Sequence, residues 1–509
     1  MFASTRTPSY RVVALSTTTE RANHGRGGTG RDGLKGIISR RSVDARGTSA
    51  AAMGASSGRT TTEVGWALKP ATTLMATGIV SGRRRAASVV ARMGEKDGGG
   101  DAIKAVKKPR LPALDSIRFF LITYISVGHF IACATRDPLT LAALSQVNVV
   151  VGAFFVLSGY VAAYTTTALG TYEASMDRLR PSPSYFVSRV MGFYPLYFLV
   201  NVVFAPMFFY ADSFYNGPVT AAVHGLMTFS LTQAWFPMHA ELWNAPTWFL
   251  SAFTFALAAM PFALPSIAQF KRKHLSSAFK ILVAVSLVAK LAYSYDLGAW
   301  GFMEGVMSAK THPNWLYFNS VRFSPFNALI DVLMGAVAAR SVMIDSADGE
   351  SVPKQNAVLS CSATPLVAMV CFLAARALGV VAVNDAISRT IFTVLFSMFA
   401  VNVHRETVRD GGAGSLVSRV LSWKPLVYLG TISFPIYILH GPIGQVFYKR
   451  VVATKLFGKV FTQHPQFFPV YLVIVLASAA LTHEFFIKNK KVQELSKSVT
   501  KKVSAALTV

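Results

Sequence analysis

The sequence predicts an all-α fold: a polytopic transmembrane helix bundle of about ten spans, preceded by a disordered leader. Three observations carry that prediction. Hydrophobic residues make up 52% of the 509-residue chain and the mean hydropathy is +0.42, more apolar than a water-soluble domain of this size. Beyond Arg110 the apolar residues gather into segments of about 20, the length a helix needs to cross a bilayer. Basic residues fall mainly in the gaps between these segments, as in membrane loops.

The leader comes first. Up to Arg92 the chain is rich in Ser, Thr, Arg, Ala and Gly, with only Glu20, Asp32, Asp44 and Glu63 as acids, which is transit-peptide composition. A secretory signal needs a compact apolar core near the start. The nearest candidate, residues 71–80, is late, short and interrupted by threonine. Residues 1–93 are therefore read as a transit peptide, directed to a plastid by the leader's length and its Ser/Thr content. A mitochondrial address and an uncut basic tail are the alternatives. A basic linker, 94–110, follows.

The formal net charge of +26 invites a nucleic-acid reading, but its placement argues otherwise. Residues 1–110 hold 20 Lys or Arg against 7 Asp or Glu, half of the surplus, and most of the rest borders apolar segments. No basic face with interleaved aromatics appears, so no nucleic-acid partner is expected. Cys133, Cys361 and Cys371 lie in apolar segments without metal or disulfide spacing and are read as buried thiols.

The membrane domain, residues 111–488, offers apolar segments at 114–134, 147–167, 190–210, 219–235, 245–264, 278–297, 323–343, 361–383, 386–403, 426–447 and 468–487. Placing Lys104, Lys107, Lys108 and Arg110 inside puts Arg178, Arg180 and Arg189 inside after two crossings. The basic run Lys271, Arg272, Lys273 then also belongs inside, which requires an even number of crossings between. Of the three segments there, 219–235 is the weakest, broken by His224, Thr228, Ser230, Thr232 and Gln233, and is expected not to span. Ten spans remain. Arg405, Arg409, Arg419 and the tail then come out inside, whereas Lys449, Arg450, Lys455 and Lys459 fall outside, against the rule. The tail, 489–509, is read either as a basic amphipathic helix on the inner surface or as a solvated charge run.

Ionisable groups within spans point to function. Asp115, Arg118 and His129 share the first span. Arg118 and His129 are eleven residues apart, three helical turns, and so lie on one face about 16 Å apart along the axis. With the orientation above, Asp115, Arg118 and Arg189 fall at the inner surface, and His129, Asn148, Asn244, Trp248, Ser251 and His440 toward the outer one. Arg118 and Arg189 suit an anionic ligand, and an imidazole at position 129 suits a general base. Anchoring charge and a carbonyl-bonded core histidine are the structural alternatives. No phosphate loop, nucleophile elbow, metal spacing or dinucleotide fingerprint sits in a fitting context, so no metal is expected.

Four blocks in order, LDSIRFFLITYISVGHF, GAFFVLSGYV, FVSRVMGFYPLYF and LVYLGTISFPIYILH, with NAPTWFLSAF as a looser fifth, resemble the membrane-bound acyltransferase family 3. The likeness covers residues 111–488. It implies O-acyl transfer to a hydroxyl of a glycan, lipid or other acceptor. The implied co-substrate is acyl-coenzyme A, acetyl-coenzyme A in the first instance, with no bound cofactor. Membrane lipids and the hydroxyl-bearing acceptor are the other implied partners. On this resemblance His129 matches the family's first-span histidine, Arg118 its first-span arginine and Arg189 the first arginine of its R-x-x-R turn, whose second position is Gly192 here. An acid often follows the tryptophan block, where this chain has Phe253. Asp115, Arg118 and Arg189 are thus expected to hold the donor. His129 is the expected base, and Asn244, Ser251 and His440 are candidates to stabilise the oxyanion. Direct transfer and an acyl-histidine intermediate both remain open, as do a secondary transporter and a non-catalytic scaffold.

Overall fold

The computed structural model describes residues 110–166, 183–347, 357–410 and 415–507, which belong to one compact unit, Ala105–Val509. The transit-peptide reading of 1–93, the linker up to residue 109, and Arg178 and Arg180 lie outside the described residues. Within them every regular element is helical.

The helices are α1 (Pro112–Ala134), α2 (Pro138–Leu144), α3 (Val147–Thr166), α4 (Pro183–Val190), α5 (Tyr194–Asn216), α6 (Pro218–Phe229), α7 (Trp248–Ala268), α8 (Arg272–Asp296), α9 (Trp315–Arg322), α10 (Pro325–Ala347), α11 (Ala357–Ser360), α12 (Ala363–Ala377), α13 (Asp385–Asp410), α14 (Leu416–Leu421), α15 (Lys424–Thr431), α16 (Ser433–Tyr448), α17 (Arg450–Phe457), α18 (Phe467–Thr482) and α19 (Lys490–Ala506). Among the described residues, eight stretches are long and apolar enough to cross a membrane, and the bent pair α15–α16, angled at 55°, makes a ninth. The chain is an integral membrane protein. The expected span at 361–383 is realised as the shorter α12, 15 residues long, because the chain turns back where Arg376 meets Val383 and Asp385. At 219–235, α6 has only 12 residues, about 18 Å, too short to cross.

Residue α3 positions that are apolar all round require cover on every side. Val149, Phe155, Val156 and Tyr160 are buried against α1, α10 and α13. Gly159 and Gly335 let α3 and α10 touch backbone to backbone, since a Cβ on either would collide with the partner's carbonyl, at Val332 or Val156. In contrast, α8 and α18 are only 17% buried over their apolar windows and present that surface to lipid. Lipid also accounts for the thiols: Cys371 is exposed and Cys133 and Cys361 are half-buried, which corrects the buried reading.

Hydrogen bonds between distant residues sort the helix ends into two sets. Ser116 bonds Leu421 O, Arg189 bonds Thr165 and Ser496 bonds Met191 O, which gathers the start of α1, the end of α3, α14 and α19 at one end, here called the basic end. Gln146 to Arg376, Asp385 to Glu304 and Arg322 to Glu241 gather the other. The charges at 449–459 that defy the loop rule belong to this far end. Lys455 lies over the Tyr210 ring at 4.9 Å and Lys459 over Phe461 at 5.5 Å, so aromatic faces engage them locally.

Candidate functional site

A cavity of about 220 Å³ runs through the bundle between α1, α3, α7 and α16. Arg118 and Ser433 line it nearest the basic end, His129 lines its middle, and Asn148, Pro246 and Arg322 line the far end. Between them the wall is apolar: Ile125, Val151, Phe154, Phe249, Phe253 and Phe434. Arg118 and His129 both face it because the eleven-residue spacing keeps them on one stripe of α1.

At the basic end Arg118 Nη1 donates to Asp115 Oδ1 at 2.8 Å, and Arg110 reaches the other carboxylate oxygen at 3.3 Å. Asp115 thus holds the Arg118 guanidinium at the cavity wall. Arg189 is placed differently. Its guanidinium bonds Thr165 Oγ1 at 3.2 Å and lies over the Tyr185 ring, and it is not among the residues lining the cavity. The chain enters the cavity one residue past Gly192, at Phe193.

His129 and His440 come together from residues 311 apart, with Nδ1 of His129 3.0 Å from Nε2 of His440. The tautomers follow from what lies behind them. His440 Nδ1 sits 2.8 Å from Tyr437 O and 3.2 Å from Ile436 O, and carbonyls only accept, so this nitrogen carries the hydrogen. Its Nε2 must then accept from His129 Nδ1–H. That leaves His129 Nε2 with the lone pair, on a side chain that lines the cavity. A free imidazole lone pair held in place by a second, backbone-anchored imidazole is the arrangement that general-base chemistry requires.

Asn244 and Ser251 are tied up elsewhere. Pro442 has no N–H, so it leaves the carbonyl of Ile438 without its helical partner. Asn244 Nδ2 fills that place at 3.1 Å. Replacing Asn244 with Leu should therefore cost about 1–3 kcal/mol, read as a lower thermal inactivation midpoint of the purified protein. Ser251 donates to Leu231 O at 2.7 Å and accepts from Ala234 N at 3.1 Å. It pins a turn in which Leu231 has the left-handed φ of 57°. Neither side chain lines the cavity.

Two further far-end residues line the cavity: Asn148, which the sequence places toward the outer surface without a role, and Arg322, which it passes over. Asn148 donates Nδ2 to Asp385 Oδ2 at 2.9 Å. A carboxylate accepts only, so this bond fixes the amide's orientation and leaves Oδ1 as its remaining acceptor. Arg322 pairs with Glu241 through two bonds of 2.6 and 3.2 Å and stacks 4.4 Å from the Phe323 ring. Its Nε has no partner among the described residues. Sequence reading passes over Arg322 because it stands one residue before the apolar segment at 323, where a cation reads as an anchor.

Outside the cavity, Asp212, His224 and His239 form a chain linking α5, α6 and the loop before α7, with contacts of 2.8 and 2.9 Å. Burial, and then the adjacent His224, hold the His239 imidazole below its usual range. The unfolded chain takes up a proton near pH 6.5 that the folded loop resists, so stability is fully present above that pH and declines as pH falls below it. Amide exchange at 236–244, corrected for intrinsic rate, should accelerate on acidification below pH 6.5, and His239→Gln should remove that dependence.

Comparison with curated proteins and with solved structures gives no match. A family model described as an acyltransferase domain matches residues 111–483, well over half the chain and the described helices from α1 to α18. With that match and the membrane helices, the chain belongs to the membrane-bound acyltransferase family 3.

Proposed function

We propose that the protein transfers an acyl group from acyl-coenzyme A, acetyl-coenzyme A in the first instance, to a hydroxyl acceptor, making an ester. The observation that carries this reading is the cavity lined by both Arg118 and His129, with His440 buried behind His129 and bonded so that His129 Nε2 is left as the base. Arg118 receives an anionic group of the donor, and the apolar wall from Ile125 to Phe249 accommodates its thioester arm. His129 takes the acceptor's proton as the hydroxyl oxygen attacks the thioester carbonyl. The tetrahedral intermediate then collapses, the C–S bond breaks, and the thiolate leaves with the proton returned by His129.

His440 steadies the imidazolium by accepting from Nδ1. The negative oxygen of the intermediate needs donors. Asn244 and Ser251 have theirs engaged, which favours Arg322 in that role, with Asn148 Oδ1 orienting the acceptor hydroxyl. Arg189 assists at the basic end as part of the approach to the cavity.

The test is donor binding to the purified protein. Acyl-coenzyme A should bind saturably, and Arg118→Ala should weaken it about 10- to 100-fold. Absence of saturable binding by the wild type sinks the reading. We also propose a plastid membrane as its location, on the leader's composition. A fluorescent protein fused behind residues 1–93 should enter plastids, and retention in the cytosol or entry into mitochondria contradicts this.

A further inference from the structure

The helix α19 has no part in the cavity. It begins three residues after the helical end of the last span at Ile487, so its first turn is held at the membrane surface. Its seventh residue, Ser496, donates to Met191 O in the turn after α4, at the same end of the bundle. A helix held at both its start and its middle by that end lies along the surface and does not project from it.

Its faces differ sharply. Val492, Leu495, Val499, Val503 and Ala506 recur at intervals of three and four, the stripe of an amphipathic helix. Docking covers only part of the stripe: Val492, Ser496 and Val499 are half-buried, whereas Leu495 is 66% and Val503 40% exposed. Five lysines, Lys490, Lys491, Lys497, Lys501 and Lys502, with Glu494 as the sole acid, occupy the remainder of the helix, and all are exposed. An apolar edge bordered by ammonium groups, at the level of a lipid headgroup layer, matches a bilayer surface that carries negative charge.

We propose that α19 is an interfacial helix that binds anionic phospholipid headgroups at the basic end, with Leu495 and Val503 at the acyl boundary and the lysines on the phosphates. It attaches through its docking on α4, the helix that carries Arg189, and so fastens that turn to the membrane surface. This holds whether or not the chain transfers acyl groups.

The full chain is reconstituted in nanodiscs of phosphatidylcholine alone and in nanodiscs with about 30% phosphatidylglycerol, and amide exchange of residues 490–506 is followed in each. The anionic discs should slow exchange about tenfold, and about 0.5 M salt should reverse most of that. Replacing Lys491, Lys497, Lys501 and Lys502 with Gln should abolish the difference between the discs without altering exchange in phosphatidylcholine. Equal exchange in both discs overturns the proposal. So does an anionic-lipid effect that survives the lysine substitutions, or protection that follows a soluble acidic polypeptide instead of the lipid.

Discussion

His129→Ala should lower acyl transfer about 10²- to 10⁴-fold in a protein that still inserts and folds, the usual contribution of a general base. The direction follows from the bonding around the pair. His440 is fixed by the carbonyls of Ile436 and Tyr437, so its Nε2 can only accept, and His129 Nε2 is the lone pair left for the substrate. His440→Ala should be milder and of a different kind, because the base survives while its tautomer is no longer imposed. A larger fall in kcat than any change in donor KM is expected for both. Donor binding by the His129→Ala protein should stay within about twofold of the wild type, since the imidazole sits roughly 16 Å along α1 from Arg118.

Asp385→Ala should destabilise the bundle by about 3–5 kcal/mol, the cost of leaving a buried charge without its counter-ion. Asp385 is 1% exposed and accepts from Arg376 at 2.7 Å, Asn148 at 2.9 Å and Gly305 N at 2.8 Å. Arg376, equally buried, would retain only Gln146 and the Val383 carbonyl. The change should appear as a drop of several degrees in the midpoint of thermal inactivation. A second consequence reaches the cavity. Without the carboxylate the Asn148 amide is free to turn over, so acceptor KM should rise more than donor KM.

The parts of this fold that could be read from the sequence are those carried by periodicity and by charge out of place. Arg118 and His129 stood out because they interrupt an apolar run at helical spacing, and the weakness of 219–235 as a span was visible in its polar residues. The bend between α15 and α16 was not, because Gly430 packs directly on the Asp115 backbone of α1, a contact that no local pattern announces. Arg322, Arg376 and Asp385 were missed for a related reason. Arg322 and Asp385 stand at segment borders, where a charge looks like loop, and Arg376 and Asp385 gain their significance from Gln146 and Asn148, more than 200 positions away. Asn244 and Ser251 were misread in the opposite sense. A polar residue in a span suggests chemistry, yet one compensates for Pro442 and the other holds a left-handed turn at Leu231.

The most direct measurement uses the wild-type protein in liposomes with acyl-labelled coenzyme A thioester and a crude extract of hydroxyl-bearing lipids and glycans. The account predicts free coenzyme A thiol released together with an equal amount of label in an alkali-labile ester. Label that crosses the membrane still attached to coenzyme A, or thioester that stays intact while bound, would contradict it.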